Sequence, residues 1–416
     1  MLAVTVIADD LTGAADCGTA FAVAGLPTFV AFGQRPWPTS AMVVACDTDT
    51  RRLPPDEAAA RALTAVREAY RQGSNAVYRK IDSTLRGNVG VEIAASWRAA
   101  AERSQLAPLV VACPAFPATG RLVRLGQVLV GGVPLERTEL WQTSGMTGPA
   151  DLPSMLRGAG LVVATIPADE VRDGAGPLGR RLSALAEGGV QAVVCDAEDE
   201  QDLQRIAEAG ARVVPPVLWA GSAGLARKLP AALRLRAPGD ANAPLDEPAE
   251  GPVLVAVGSR SSVARQQADA VAADAGVVTL IAPPSVLLVG PDQAGWTRLS
   301  SSLRAALTAG RDVLLMTGME TLLALERGPV LAAQLARLVA AEAGRLAGLV
   351  VTGGDVARAM LEAVGANGLH LLGEVEPGVP LGVTDTERAL RVVTKAGGFG
   401  SPNALRHARA ALHRRR

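Results

Sequence analysis

Lysine is almost missing from this chain. Of its 41 basic residues only Lys80, Lys228 and Lys395 are lysines, so arginine stands nearly wherever a positive charge was acceptable. A lysine that survives such a bias marks a place for a compact, rotatable ammonium that a planar guanidinium fork does not replace. Lys80 and Lys395 lie in the two densest polar and glycine-rich stretches. Histidine is as scarce: His370, His407 and His413 stand late in the chain, away from the acidic motifs, which argues against a histidine-based triad. Cys17, Cys46, Cys113 and Cys195 are widely spaced, with no C-x-x-C pair and no histidine beside them, which argues against zinc and for buried free thiols in a reducing compartment. Neither sign of charge is in excess, 41 against 41, and beyond Arg414-Arg415-Arg416 there is no basic stripe to serve a nucleic acid. No apolar run approaches the ~18 residues of a membrane span, and Met1 leads into a strand rather than a signal peptide. A soluble, cytoplasmic protein with a small-molecule partner is expected.

What the chain does contain is a repeated unit. At 416 residues, 49% of them hydrophobic, it is too long for one ordinary core, and about 150 residues per domain predicts two or three. Leu2 to Ala8, Met42 to Cys46, Asn75 to Ile81, Leu109 to Ala112, Leu161 to Ile166, Gln191 to Cys195 and Val217 to Ala220 are short apolar runs, the pattern of parallel strands buried on both faces. Helical stretches separate most of them. Residues 236–252 are rich in Pro, Gly, Ala, Asp and Glu, lack periodicity and read as a linker. The pattern restarts at Val253 to Val257, Val313 to Met316, Leu349 to Val351 and Arg391 to Thr394. The expected architecture is two α/β domains with mostly parallel sheets, residues 1–235 and 253–416, with the active site in the cleft between them.

In open α/β sheets ligands sit beyond the carboxyl ends of the strands, and there this chain gathers its polar residues. Asp9 and Asp10 end the first strand, and the pull of a helix dipole explains one carboxylate there better than two. Asp47-Thr48-Asp49-Thr50-Arg51 ends the second, where Arg51 is suited either to a bidentate grip on an anion or to pairing with Asp47 or Asp49. Lys80-Ile81-Asp82-Ser83-Thr84-Leu85-Arg86-Gly87-Asn88 ends the third. Two prolines around Phe116 stiffen a loop in which Thr119, Gly120 and Arg121 supply donors. Gln127 to Leu135, with Gly131-Gly132 in the middle, reads as a hairpin. In the second half four glycine turns with serine or threonine each follow a strand: Gly258-Ser259, Thr317-Gly318, Thr352-Gly353-Gly354-Asp355 and Lys395-Ala396-Gly397-Gly398. Backbone amides of such turns can cradle a phosphate. Neither a P-loop nor a dinucleotide fingerprint is present. Carboxylates, a lysine and arginines in one half and phosphate turns in the other suit phosphoryl transfer, which relies on positioning and charge neutralisation.

Taken in order, these motifs resemble the four-carbon acid sugar kinase family from end to end. The likeness rests on Ile7-Ala8-Asp9-Asp10-Leu11-Thr12-Gly13-Ala14, Lys80 to Asn88, Pro114-Ala115-Phe116-Pro117-Ala118-Thr119-Gly120-Arg121, Gly258-Ser259, Gly353-Gly354-Asp355 and Lys395-Ala396-Gly397-Gly398-Phe399-Gly400. It implies an enzyme that uses ATP and Mg²⁺ to phosphorylate the terminal (4-) hydroxyl of a tetronate or 3-oxo-tetronate, with the sugar acid on the N-terminal domain and ATP on the C-terminal one. On that resemblance Asp9, Asp10, Arg51, Lys80, Ile81, Asp82, Ser83 and Arg86 face the acid. Ser259, Gly353, Gly354, Asp355, Val356, Gly397 and Gly398 hold the nucleotide. Asp10, Asp82 and Lys80 are the catalytic candidates: Lys80 or Arg51 pairs with the substrate carboxylate, and Asp10 or Asp82 accepts the hydroxyl proton or orients Mg²⁺. No metal ligands are assigned. Two departures bear on the choice of acid and on the phosphate contacts. Glu139 to Gly148 replaces the family's usual Asp-Pro segment ending in serine, and Val356 stands where a threonine is common. A homo-oligomer is compatible with this reading. The rival readings are a non-catalytic sugar-acid sensor and an ATP-dependent ligase acting on the carboxylate.

Overall fold

The structure is a computed structural model and describes residues 2–33, 35–103, 105–142, 144–146, 148–237, 250–319 and 327–413. The chain forms two compact units, Met1–Thr28 with Trp37–Ala241, and Phe29–Pro36 with Asn242–Arg416. Most of the expected linker, residues 238–249, lies outside the described residues. Among the described residues no helix is long and apolar enough to cross a membrane.

The first unit is built on a seven-stranded sheet. Its strands are β1 (Val4–Ala8), β2 (Val43–Asp47), β3 (Ala76–Lys80), β4 (Leu109–Cys113), β5 (Val163–Ile166), β6 (Ala192–Cys195) and β7 (Val217–Gly221). They lie in the order β2-β1-β3-β7-β4-β6-β5, every pair parallel. All five residues of β1 and of β4 are buried, as strands covered on both faces must be. Helices α1 (Leu11–Ala22), α2 (Pro55–Arg71) and α3 (Val89–Ala101) follow β1, β2 and β3. The expected hairpin has a third strand: Arg121–Arg124 pairs with Gln127–Val130, which pairs with Val133–Pro134. Its first turn, at Leu125-Gly126, takes positive φ at both residues, and the Asp196 carboxylate accepts both of their amides at 2.5 and 2.9 Å.

The second unit has a five-stranded parallel core in the order β9-β10-β8-β11-β14, from β8 (Val253–Val257), β9 (Val278–Ala282), β10 (Val313–Thr317), β11 (Gly348–Thr352) and β14 (Arg391–Lys395). Helix α4 (Ser262–Ala272) follows β8 and α5 (Gly354–Ala363) follows β11. The sheet then continues in the antiparallel sense through β13 (Val379–Thr384) and β12 (Gly368–Glu376). The last partner comes from far away in sequence. Phe29, Val30 and Ala31 pair with His370, Leu369 and Gly368, and the amides of Phe32 and Gly33 both donate to the Asn367 carbonyl. The expected first domain, 1–235, is therefore interrupted, because residues 29–36 belong to the second unit. The close pairing requires Gly368, since a Cβ there would fall 1.8 Å from the Phe29 ring.

Candidate active site

In the first unit β1 has β2 on one side and β3 on the other, so the chain reverses its direction of travel across the sheet between β1 and β3. The crevice at such a reversal, beyond the strand ends, is where an open parallel sheet offers a binding site. Asp9 and Asp10 lie at one lip of it and Lys80 to Asp82 at the other.

Arg51 joins these groups. Its Nε and Nη2 donate to Asp9 at 2.7 and 2.8 Å, and its Nη1 and Nη2 donate to Asp10 at 2.7 and 2.9 Å. The expected pairing of Arg51 with Asp47 or Asp49 is not found among the described residues: four of its five N–H groups go to Asp9 and Asp10 instead. Asp10 also caps α1, accepting the Gly13 amide at 2.9 Å and the Thr12 hydroxyl at 2.7 Å. With two bonds to each oxygen its acceptor capacity is filled. Burial pushes the Asp9 carboxyl up, but the charge and hydrogen bonds of Arg51, with Lys80 and Arg79, outweigh it and hold Asp9 below the usual range. Arg51 is in turn raised well above its ordinary value, burial being outweighed by Asp10, Asp9 and Asp82.

On the other lip Asp82 is buried, and its Oδ2 accepts the Thr84 hydroxyl and Arg86 Nε, each at 2.5 Å. Burial raises its carboxyl, yet Arg86, Arg51 and Lys80 together hold it well below the usual value. Lys80 is 5% exposed and Ser83 3%. Among the described residues the Lys80 ammonium has no hydrogen bond or ion pair, and the Ser83 hydroxyl has no hydrogen-bond partner. For the buried Ser83 hydroxyl the lack of a partner is costly unless something else satisfies it. The Ile81 side chain is core, 2% exposed, and its amide is spent on the Gly221 carbonyl at 2.8 Å. Two glycines keep the crevice open. A Cβ at Gly13 would lie 2.5 Å from Asp10 Oδ1 and 3.0 Å from Lys80 Nζ, and one at Gly87, whose φ is +87°, 2.9 Å from Asp9 Oδ2.

Behind the carboxylates lies a network that the site reading missed. Arg79, wholly buried beside Lys80, reaches Glu92 at 2.5 Å, and the Thr50 hydroxyl donates to the same carboxylate. Burial raises the Glu92 carboxyl, and the Arg79 charge only partly offsets it. Asn88 ties the turn to the loop after β2, donating to the carbonyls of Thr50 and Leu53 at 3.1 and 2.9 Å. An arginine inside an otherwise apolar strand was the visible signal. Arg121, which the motifs place only among the donors of its loop, belongs to the same charged group: it is 9% exposed, and Asp82, Arg86 and Asp16 all act on its charge.

In the second unit the register levels the ends of neighbouring strands: Val257 lies opposite Met316 and Thr352, and Thr352 opposite Lys395. The turns after β8, β11 and β14 meet there. A Cβ on Gly397 would lie 2.1 Å from Ser259 Oγ, one on Gly353 3.6 Å from the Ser259 amide, and one on Gly258 2.1 Å from Val356 Cγ2. The Val356 side chain therefore fills the space over Gly258, which leaves its backbone to face any ligand. Asp355 is exposed in the first turn of α5, and Gly353, with φ of +101°, starts that helix without a side-chain cap. An uncapped helix start offers its free amides to an anion. Lys395 does not face this opening. It is fully buried and donates to the carbonyls of Ala396, Gly397 and Phe399 at 2.9, 3.2 and 2.9 Å. Burial pushes its ammonium down to about 7, with Glu376 opposing. The third lysine, Lys228, pairs with Glu200 at 2.6 Å. Part of the turn after β10 falls outside the described residues, as do Thr143 and Thr147 in the segment that departs from the family pattern. Among the described residues no group of three or more His, Cys, Asp or Glu is arranged to hold a metal ion. Cys17, Cys113 and Cys195 are buried free thiols.

Comparison with known proteins fits this division. Residues 4–229 match the family described as a sugar-binding N-terminal domain, and residues 254–405 the one described as a nucleotide-binding C-terminal domain. A D-threonate kinase of Cupriavidus necator is 44% identical over 98% of this chain and 97% of its own. A D-threonate kinase of Bordetella bronchiseptica is 37% identical over 99% and 98%. A solved structure from Salmonella typhimurium LT2 has the same fold, with a TM-score of 0.82 at 24% identity, covering 98% of this chain and 99% of that one. The chain belongs to the four-carbon acid sugar kinase family and is a phosphotransferase.

Proposed function

We propose that the protein transfers the γ-phosphoryl group of ATP to the 4-hydroxyl of D-threonate. The observation that carries this reading is a pair of donors on one turn without a partner among the described residues, the Lys80 ammonium and the buried Ser83 hydroxyl, set among carboxylates whose charges are already neutralised. A small polyhydroxylated anion fits such a place: its carboxylate takes the ammonium and its hydroxyls take the remaining donors and acceptors. The two D-threonate kinases described above support the choice of acid.

On this reading Lys80 binds the substrate carboxylate, while Arg51 holds Asp9 and Asp10 rather than the substrate. Asp82 accepts the proton, because its Oδ1 has no hydrogen-bond partner among the described residues, whereas both oxygens of Asp10 are engaged. Asp82 is a weak base, which suffices where the transition state is loose and the attacking oxygen needs little activation. The 4-oxygen bonds to the γ-phosphorus, the bond from that phosphorus to the β–γ bridging oxygen breaks, and ADP leaves. The uncapped start of α5 and the turns carrying Ser259, Gly397 and Gly398 hold the phosphates through backbone amides. Mg²⁺ fits as an ion carried by the nucleotide phosphates, since it prefers phosphate oxygens and water to an all-protein cage. Bound there, it neutralises charge on the phosphates.

The test is nucleotide product from ATP and Mg²⁺ with D- and L-threonate, D- and L-erythronate and their 3-oxo derivatives, with mass spectrometry of the acid. ADP and a phosphate ester of D-threonate are expected. Turnover confined to a 3-oxo acid or an erythronate moves the substrate within the family. AMP instead of ADP makes the protein a ligase, and no turnover with any acid removes the proposal.

A further inference from the structure

The loop after β14 is held from inside by two side chains. Lys395 takes the carbonyls of Ala396, Gly397 and Phe399, and Gln267 Nε2 on α4 takes those of Phe399, Gly400 and Ser401 at 3.1, 3.2 and 2.8 Å. Ser261 Oγ adds a second bond to the Gly397 carbonyl at 2.8 Å. An ammonium has three protons, and here each has a carbonyl, so Lys395 has none left for a ligand. In a trans peptide the C=O and N–H point in opposite directions. Drawing in the carbonyls of Ala396 and Gly397 therefore turns the amides of Gly397 and Gly398 outward. Neither amide donates to a described residue, and the space around Gly398 is open, with nothing within 4 Å of an added Cβ.

We propose that Lys395 is a positioning residue for the nucleotide's phosphate: by gathering the carbonyls of Ala396, Gly397 and Phe399 it presents the amides of Gly397 and Gly398 as a pair of phosphate donors. The inference rests on the reading that these turns hold a nucleotide. It differs from a lysine that touches phosphate itself, because the charge works here through the backbone.

The experiment is calorimetric titration of the full chain and of Lys395→Met with ATP, ADP and adenosine, at about pH 6.5, below the value of about 7 near which Lys395 gives up its proton. The variant is expected to weaken ATP and ADP by about tenfold or more while adenosine stays within about twofold. Equal loss of all three ligands, or unchanged ATP affinity, overturns the proposal. Failure of the unsubstituted protein to bind ATP overturns the nucleotide reading itself and is told apart by that control. Should Lys395→Met not fold, Gly398→Ala decides, because its methyl group enters open space in the fold and stands where the phosphate would lie. Selective loss of ATP and ADP there supports the outward amides, and unchanged affinity overturns them.

Discussion

Arg51 and Asp9 are joined by two parallel hydrogen bonds, Nε to Oδ2 at 2.7 Å and Nη2 to Oδ1 at 2.8 Å, while the same guanidinium holds Asp10. Only a planar fork can make this double grip, so Arg51→Lys keeps the charge and loses the geometry. Arg51→Ala leaves two adjacent carboxylates without their cation; losing one partner of a fully buried pair costs about 3–5 kcal/mol, and with Arg51 21% exposed the cost here falls at or below the lower end of that range. Urea unfolding is expected to show that loss for alanine and a smaller one for lysine, both with kcat/KM reduced at least about tenfold. An alanine variant as stable as the original protein would show that Arg51 does not neutralise the pair.

Asp9 and Asp82 both have carboxyls held below their ordinary value of 3.8. The unfolded chain then binds more protons than the folded one as pH falls past that value, so their stabilisation is full above it and is lost towards the lower folded values. Asp82→Asn is expected to flatten the fall in urea midpoint between pH 5 and pH 2.5. An unchanged acid limb would remove Asp82 as one of its sources.

Ser83 has a buried hydroxyl with no partner, which costs about 1–3 kcal/mol in the free protein. Ser83→Ala removes that penalty, so melting temperature should hold or rise. If the hydroxyl waits for the acid, KM for the acid should rise about tenfold with little change in KM for ATP. A rise in both constants would point to general damage.

The strands of the two parallel sheets are legible in sequence as short apolar runs ending in polar turns, and Val253–Val257 is placed to the residue. The exception is the edge strand Val278–Ala282, which is absent from the expected set and has one buried residue of five. What is not legible depends on long-range pairing. Gly368–Glu376 has a mixed pattern, and residues 29–31 give no sign that they pair with it across more than three hundred residues. The same limit holds at the site. Asp9, Asp10, Lys80 and Asp82 announce themselves as charges at strand ends. That Arg51 serves the carboxylates, that Lys395 turns inward and that Val356 packs on Gly258 are matters of side-chain direction, which residue type leaves open.

Lys395 gives a second pH dependence, of the same sign as that of the carboxylates but arising from a buried cation. Its proton is released near 7 in the fold, against 10.5 ordinarily, so above 7 the unfolded chain binds more protons and stability rises with pH. Glu376, which faces it and pairs with His407 at 2.5 Å, stays ionised across this range. The window closes towards pH 9, the ordinary value of the buried thiols Cys17, Cys113 and Cys195, whose raised values act the other way. Urea midpoints from pH 7 to 8.5 should climb in the original protein and stay flat in Lys395→Met. Parallel slopes would show that another group titrates.

Gly13 sits inside α1, where alanine ordinarily gains about 1 kcal/mol over glycine. Here the sign should reverse. An added Cβ would lie 2.5 Å from Asp10 Oδ1, the oxygen that caps the helix, and 3.0 Å from Lys80 Nζ. One of the two must move, and a lost cap costs about 1 kcal/mol. Gly158 is the control: it ends the helix Leu152–Gly158, is exposed, and a Cβ there meets nothing within 4 Å. Gly158→Ala should therefore be neutral or stabilising with full activity, whereas Gly13→Ala should lose both stability and turnover. If Gly13→Ala instead gains stability and keeps its kcat, Asp10 and Lys80 do not need the close approach that the glycine allows, and the frame drawn around Arg51 is looser than its hydrogen bonds imply.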